Sequence, residues 1–116
     1  MRLLIAAVAA MLLITPAVAA PGMMAMSGMM LIHHKVADYA KWRPVYDADQ
    51  SNREAAGLTN CQVHQSMDNA NDVVIACDMA DMSKAKAFAS STTLRDTMKK
   101  AGVMGNPEML YLSVAK

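Results

Sequence analysis

The chain has 116 residues, of which 54% are hydrophobic, but 17 of the hydrophobic residues fall within the first 20 positions. The remaining 96 residues have an ordinary apolar content and ten basic and ten acidic side chains. This charge balance argues against nucleic acid or an anionic membrane as the partner, since no basic run is longer than Lys99-Lys100. The length allows one small domain but not two.

The first 20 residues have the pattern of a secretory signal peptide. The positive charge of Arg2 precedes an uninterrupted apolar run over 3–14, and Pro16 is followed by small residues that allow cleavage after Ala19 or Ala20. The apolar run is shorter than the ~20 residues that a membrane-spanning helix needs. We therefore expect a periplasmic or secreted protein without a stable membrane anchor after cleavage.

A short Met-rich segment follows the signal pattern. Residues 21–28 contain two glycines and a proline and show no sustained period, which predicts a flexible leader. From residue 29 the chain becomes apolar over a strand-length run, 29–36. We expect the folded domain to span residues 29–116.

The first helix is predicted over about 38–55. Asp38 occupies the N-cap position ahead of apolar residues at helical spacing, and Gly57 supplies the stop. Pro44 conflicts with this helix because proline lacks a backbone donor and its ring clashes with the carbonyl four residues earlier. The sequence therefore predicts a kink or an irregular first turn at Pro44.

A β-hairpin is the clearest signal in the middle of the chain. An alternating run over 59–66 and a β-branched run over 73–77 flank the turn residues 68–72. Cys61 and Cys77 lie symmetrically about this turn and share a sheet face. That arrangement permits either a cross-strand disulfide or two reduced thiols in the core, and the sequence leaves both open.

The last third of the chain predicts a helix and a strand. Asp81 caps a helix that the polar cluster 90–93 interrupts and that stops at Gly102, and a loop over 105–107 leads into a final strand over 109–114. The predicted order is β-α-β-β-α-β, the α+β ferredoxin-like arrangement.

The two sides of the hairpin differ in polarity. The period of two places one row on the face that the helices cover: Cys61, Val63, Val73, Ile75 and Cys77. The opposite row is mixed but too apolar for open water: Gln62, His64, Val74, Ala76 and Asp78. We expect this second face to bury itself against another copy of the chain, giving a homodimer.

Stretches over 34–47, 57–64 and 84–88 resemble small proteins of the dimeric α+β barrel superfamily, in particular antibiotic-biosynthesis-monooxygenase-like and cyclase-like proteins. The resemblance covers residues 29–115. It implies a dimeric α+β barrel, built from two ferredoxin-like sheets, with a pocket between sheet and helices in each protomer. Characterised monooxygenases of this group oxidise polyphenols or quinols without a bound cofactor, and related members act on haem. No residue here matches their catalytic sets, so the resemblance implies the fold and not the activity.

Three aromatic residues form a stripe on the first predicted helix. Tyr39, Trp42 and Tyr46 lie at i, i+3 and i+7. Such a stripe is either the helix face that packs on the sheet or a pocket wall on which a flat ligand stacks. We take these three residues as candidate ligand contacts.

The three histidines fall on the first two predicted strands. His33 and His34 are adjacent and must point to opposite faces of a regular strand, so they cannot chelate one ion together. His34 and His64 are the candidate general bases. Asp78 is a candidate for orienting either of them and for contacting the ligand, an assignment that rests only on the alternation of side chains along the strand. A structural or interface role is the alternative for each histidine.

Soft metal ligands are concentrated near the start of the mature chain. Met23, Met24, Met26, Met29 and Met30 precede His33 and His34. Thioethers suit Cu(I), although methionine also replaces leucine freely in a core. This cluster supports an alternative function in copper handling.

The sequence thus predicts an exported dimer that binds a small organic ligand in a hydrophobic pocket, with monooxygenase-like activity by resemblance only. The chain contains no Gly-rich phosphate loop, Ser nucleophile elbow, H-E-x-x-H or C-x-x-C motif, so we expect no cofactor and no resident metal in the domain. The alternatives are a copper-handling protein and a non-catalytic structural or stress dimer.

Overall fold

A computed structural model describes residues 28–116 of the chain. The predicted signal peptide and most of the Met-rich leader lie outside these residues. The described part has four strands and four helices in the order β-α-α-β-β-α-α-β. Their bounds are β1 (Gly28–Val36), α1 (Tyr39–Ala48), α2 (Gln50–Ala55), β2 (Leu58–Gln65), β3 (Asp72–Met79), α3 (Met82–Ala89), α4 (Thr92–Ala101) and β4 (Val103–Leu112).

The strands form one antiparallel sheet in the order β2-β3-β1-β4. This is the strand order of the ferredoxin-like fold, and the predicted fold class is confirmed. Because β3 lies between β1 and β2, His34 and His64 are not on neighbouring strands.

The first helical segment begins where the sequence predicts but is divided into two helices. The Asp38 side chain accepts a hydrogen bond from the backbone N–H of Ala40 at 3.0 Å, and Pro44 lies inside α1. The prediction of one helix over 38–55 is wrong, because the chain leaves helical geometry at Asp49. The Asp49 carboxylate accepts from Asn52 Nδ2 at 2.6 Å, a local bond of the kind by which Asp competes with a continuous helix.

The predicted β2–β3 hairpin is present and contains a disulfide between Cys61 and Cys77, with an S–S length of 2.03 Å. The pairing register shifts between Thr59 and Gln62, and Asn60 has a φ of +49°. This bulge lets Cys61 face Cys77 within the ladder. Of the two states that the sequence left open, the structure therefore has the oxidised one.

Two capped helices and a long edge strand complete the domain. Asp81 and Ser91 cap α3 and α4, and Gly102 ends α4 with a φ of +82°. The last strand begins at Val103, so the predicted loop over 105–107 and strand over 109–114 are wrong in their bounds. β4 includes Gly105, at a φ of +70°, and Pro107, and its pairing register with β1 shifts in this region. An edge strand tolerates proline because one side of its backbone is unpaired.

The helices cover one face of the sheet. Alternate residues of β1 and β3 are buried against them: Met30, Ile32, His34, Val36, Val73, Ile75, Cys77 and Met79. We call the other side the open face; there Met29, Leu110 and Leu112 remain about two-fifths exposed. Within residues 28–116, no helix has the length and apolar character needed to cross a membrane.

Candidate functional site

The aromatic stripe of α1 packs as a stack between the helices and the sheet. The rings of Trp42 and Tyr46 are stacked with centroids 4.8 Å apart and planes 20° apart, and Tyr39 lies 5.7 Å from Trp42 on its other side. Trp42 is only 2% exposed and belongs to the hydrophobic core. The Tyr39 hydroxyl accepts a hydrogen bond from Arg43 Nη1 at 3.2 Å.

His34 is the polar group at the centre of the site. It projects from β1 toward α1, where its ring meets Trp42 edge-on with centroids 5.6 Å apart. His34 is 5% exposed, and neither of its ring nitrogens has a hydrogen-bond partner among the described residues. A neutral imidazole carries one donor and one acceptor, so the ring presents both groups unused.

The surroundings of His34 keep its imidazole neutral at physiological pH. The pKa of His34 is lowered from 6.5 to about 4, mainly by burial and in second place by the neighbouring charge of His33, while Asp72 acts in the opposite direction. A neutral imidazole here can donate one hydrogen bond and accept another, but it carries no charge to attract an anion.

A cavity of about 40 Å³ lies beside His34, between the sheet and the helices. Apart from His34 its lining is largely apolar and aromatic, with Trp42, Tyr46, Ile75 and Phe88 among its walls. The Tyr46 hydroxyl is a third buried polar atom without a hydrogen-bond partner among residues 28–116, and burial is the main cause that raises the pKa of this phenol. The cavity is large enough for water but smaller than an aromatic ring.

Two charged residues that the sequence analysis missed stand at one end of the cavity. Asp49 and Arg53 line it, and the Arg53 guanidinium lies over the Tyr46 ring, 3.7 Å from its centroid. With Trp42 and Tyr46 they follow the spacing i, i+4, i+7 and i+11. Extending the aromatic stripe across the predicted helix could have identified them.

The structure brings together four of the six predicted site residues and separates the other two. Trp42, Tyr46 and His34 line the cavity, and Tyr39 stacks behind Trp42. His64 and Asp78 belong to the open face. His64 Nδ1 hydrogen-bonds to the Val74 carbonyl oxygen at 3.3 Å.

Asp78 does not orient either candidate base. Its Oδ2 accepts a hydrogen bond from Asn60 Nδ2 at 3.0 Å. The histidine that does contact carboxylates is His33, whose Nε2 lies 2.6 Å from Asp72 Oδ1 and whose Nδ1 lies 3.6 Å from Glu108 Oε2. This cluster ties β1 to β3 and β4 on the open face, away from the cavity.

The described residues supply little for a metal. No group of three or more His, Cys, Asp or Glu side chains within 28–116 is placed to hold an ion. Of the methionines proposed as copper ligands, Met30 is fully buried in the core and Met29 lies on the open face. Met23, Met24 and Met26 lie outside the described residues.

Comparison with known proteins identifies relatives of the fold. No family model matches the chain, and no curated protein sequence is significantly similar to it. Thirty solved chains match its structure. A candidate antibiotic biosynthesis monooxygenase from Caulobacter crescentus is 17% identical, with a TM-score of 0.59, over 82% of this chain and 96% of that one.

Two further structures carry assigned activities. SnoaB, a cofactor-independent oxygenase from Streptomyces nogalater, is 10% identical with a TM-score of 0.57, over 75% of this chain and 93% of its own. A Streptomyces coelicolor monooxygenase in complex with nanaomycin D is 14% identical with a TM-score of 0.53, over 78% and 89% of the two chains. The predicted resemblance to antibiotic-biosynthesis-monooxygenase-like proteins is thereby confirmed as a shared fold.

Proposed function

We propose that this protein binds a small planar phenol or quinol between its sheet and helices and oxidises it with O₂ without a bound cofactor. The observation that carries the proposal is His34, a buried neutral imidazole with two unpartnered nitrogens beside an aromatic-walled cavity. The fold relatives that are named as oxygenases support the choice of reaction. The aromatic walls support the choice of a planar ligand, since flat rings stack on Trp and Tyr.

The chemistry that His34 supports begins with proton transfer. A hydroxyl of the bound quinol donates a hydrogen bond to the free imidazole nitrogen, which then takes the proton and leaves an electron-rich phenolate. The phenolate charge next to the imidazolium stabilises the protonated form that burial alone disfavours. When the quinol reacts with O₂, one oxygen atom becomes a new ring hydroxyl, the other leaves as water, and the ring supplies four electrons as it becomes a hydroxyquinone.

The size of the cavity determines how a ring enters. An apolar cavity of about 150 Å³ can hold benzene, so the space of about 40 Å³ must widen on binding. Met98 and Thr97 of α4 line it opposite Trp42 and Val45 of α1. Methionine has three flexible torsions, so displacement of Met98 is the least costly way to enlarge this space.

The proposal includes export and self-association. The signal pattern of residues 1–20 supports a periplasmic or secreted location. The open face supports a homodimer through the sheet, because it carries partly exposed apolar side chains in adjacent strands, Met29 on β1 and Leu110 and Leu112 on β4. This surface is continuous across the ladder, since Met29 pairs with Leu112.

Hydroquinone is the probe that tests the site. We expect it to bind wild-type protein in calorimetry and to be consumed together with O₂, and we expect His34→Gln to lose both. His33→Gln is the matched control, because His33 is the adjacent histidine on the opposite face. Unchanged binding and O₂ uptake in His34→Gln, or a loss in His64→Gln alone, would show that the site is not the cavity.

A further inference from the structure

Arg53 is a buried cation with an unusual set of contacts. The residue is only 7% exposed, and Nη1 donates a hydrogen bond to the Tyr46 carbonyl oxygen at 2.6 Å. The guanidinium plane covers the Tyr46 ring at 3.7 Å. These contacts fix the orientation of the guanidinium, but they satisfy only one of its five N–H donors with an oxygen.

The charge of Arg53 has no counter-ion within the described part of the chain. No Asp or Glu oxygen of residues 28–116 lies within the 4.0 Å of an ion pair. The two acidic residues closest to it in sequence accept hydrogen bonds from neutral amides and none from the guanidinium. Asp49 accepts from Asn52, and Glu54 accepts from Gln50 Nε2 at 2.9 Å. A buried cation without an opposite charge is unfavourable, so an anion from solution would be stabilised beside it.

A polar groove gives such an anion access to Arg53. The groove lies between α2 and the start of β2 and has a volume of about 440 Å³. Thr59, Asn60 and Gln50 contribute polar side chains to it, and Glu54, which accepts a hydrogen bond from Gln50, also lines it. Arg53 and Tyr46 line both this groove and the cavity that contains His34. The stacked pair is therefore the shared wall between an apolar space and a polar one.

We propose that Arg53 binds the carboxylate of the ligand, so that the substrate class is a planar phenol or quinol that carries a carboxylate on its ring. The ring lies in the cavity beside Tyr46 and toward His34, and its carboxylate meets the Arg53 guanidinium where Arg53 lines the cavity next to the groove. This inference rests on the proposed function for the identity of the ring, whereas the anion site rests on Arg53 alone. Guanidinium groups match carboxylates through paired N–H donors, which makes this contact selective as well as strong.

The test compares two quinols that differ only in the charged group. Hydroquinone and 2,5-dihydroxybenzoate are titrated into full-length protein by calorimetry at low and at physiological salt. We expect the carboxylate to tighten binding by about tenfold or more, because hydrogen bonds to a charged partner contribute on the order of 1.4 kcal/mol or more, which is a factor of ten. The gain should fall as salt is raised, since screening weakens charge pairs.

Three variants determine whether Arg53 is responsible. Arg53→Gln should bind both quinols equally, and Arg53→Lys should keep part of the preference if its thermal unfolding shows a folded protein. Arg43→Gln is the matched control, because Arg43 also approaches the Tyr46 ring, at 5.6 Å, but is paired with Asp47 on the surface. Equal affinities for the two quinols in wild type, or a preference that survives in Arg53→Gln, would overturn the proposal.

The outcomes also separate this inference from the proposed function. If hydroquinone binds through His34 but the carboxylate adds nothing, the anion site is wrong and the proposed function stands. If 2,5-dihydroxybenzoate binds through Arg53 while His34→Gln has no effect on either quinol, the anion site stands and the proposed function is wrong.

Discussion

Replacing His34 tests the description of the site without any ligand. In the folded protein the pKa of His34 is about 4, whereas an unfolded histidine titrates near 6.5. Between these values the unfolded chain binds a proton that the native protein does not, so the free energy of unfolding falls as the pH falls from 6.5 toward 4. At about 1.4 kcal/mol per pH unit, the loss is about 3 kcal/mol, and it is complete below pH 4.

His34→Phe removes this titration and keeps a planar ring, for which the adjacent cavity of about 40 Å³ provides room. We expect the variant to be at least as stable as wild type at pH 7.5, because two unsatisfied buried nitrogens are lost. The difference in stability between the two proteins should then grow by about 3 kcal/mol as the pH falls to 4.

Urea denaturation at steps of half a pH unit from pH 7.5 to 4 measures this difference in stability. The carboxylates and the other histidines are the same in both proteins, so their titration cancels in the comparison. His34→Gln serves as a second variant, since it removes the titrating group with a different shape. If wild type and both variants lose stability in parallel over this range, His34 is not buried in the manner described, and its role as an unpartnered polar group is refuted.

Two further predictions concern the hairpin and the open face. The Cys61→Ser/Cys77→Ser variant should be about 3 kcal/mol less stable than wild type, because the disulfide closes a loop of 16 residues. Dithiothreitol should lower the melting temperature of wild type but not of the variant. Equal urea unfolding midpoints for the two proteins would contradict a stabilising disulfide. Leu110→Glu should convert the proposed homodimer into a monomer in analytical ultracentrifugation, whereas Met82→Glu, at a similarly exposed position on α3, should leave it a dimer. A wild-type protein that sediments as a monomer would contradict the proposed dimer.

The sequence predicts the order of elements because local signals and tertiary packing agree at most of them. Asp38, Asp81 and Gly102 mark helix ends in the structure as they do in the pattern. The errors arise where long-range pairing overrides a local signal. Residues 105–107 have loop chemistry, yet pairing of β4 with β1 from Val103 onward draws them into the strand. Asp49 interrupts a helix that periodicity alone would continue.

The site was only partly predictable, for a related reason. Helical spacing identifies Trp42 and Tyr46, and the period of two places His64 on the row opposite the helix-covered face of the hairpin. It assigns no face to His34, because nothing in the sequence fixes how the first strand aligns with the hairpin. The register shows His34 opposite Val73 on the covered face and His64 opposite Val74 on the open one. Arg53 was missed because a charged residue on a short helix reads as a solvated surface group.

The cavity residues also connect binding with stability. Among residues 28–116, His34 and the Tyr46 hydroxyl are buried without hydrogen-bond partners and Arg53 is buried without an ion-pair partner, so each lowers the stability of the empty protein. A ligand with a ring hydroxyl and a carboxylate would satisfy His34 and Arg53 at once. Such a ligand binds only the folded state, so it stabilises that state in proportion to the logarithm of its concentration above Kd. The same three groups would then lower the stability of the empty protein and favour the proposed ligands that carry both polar groups.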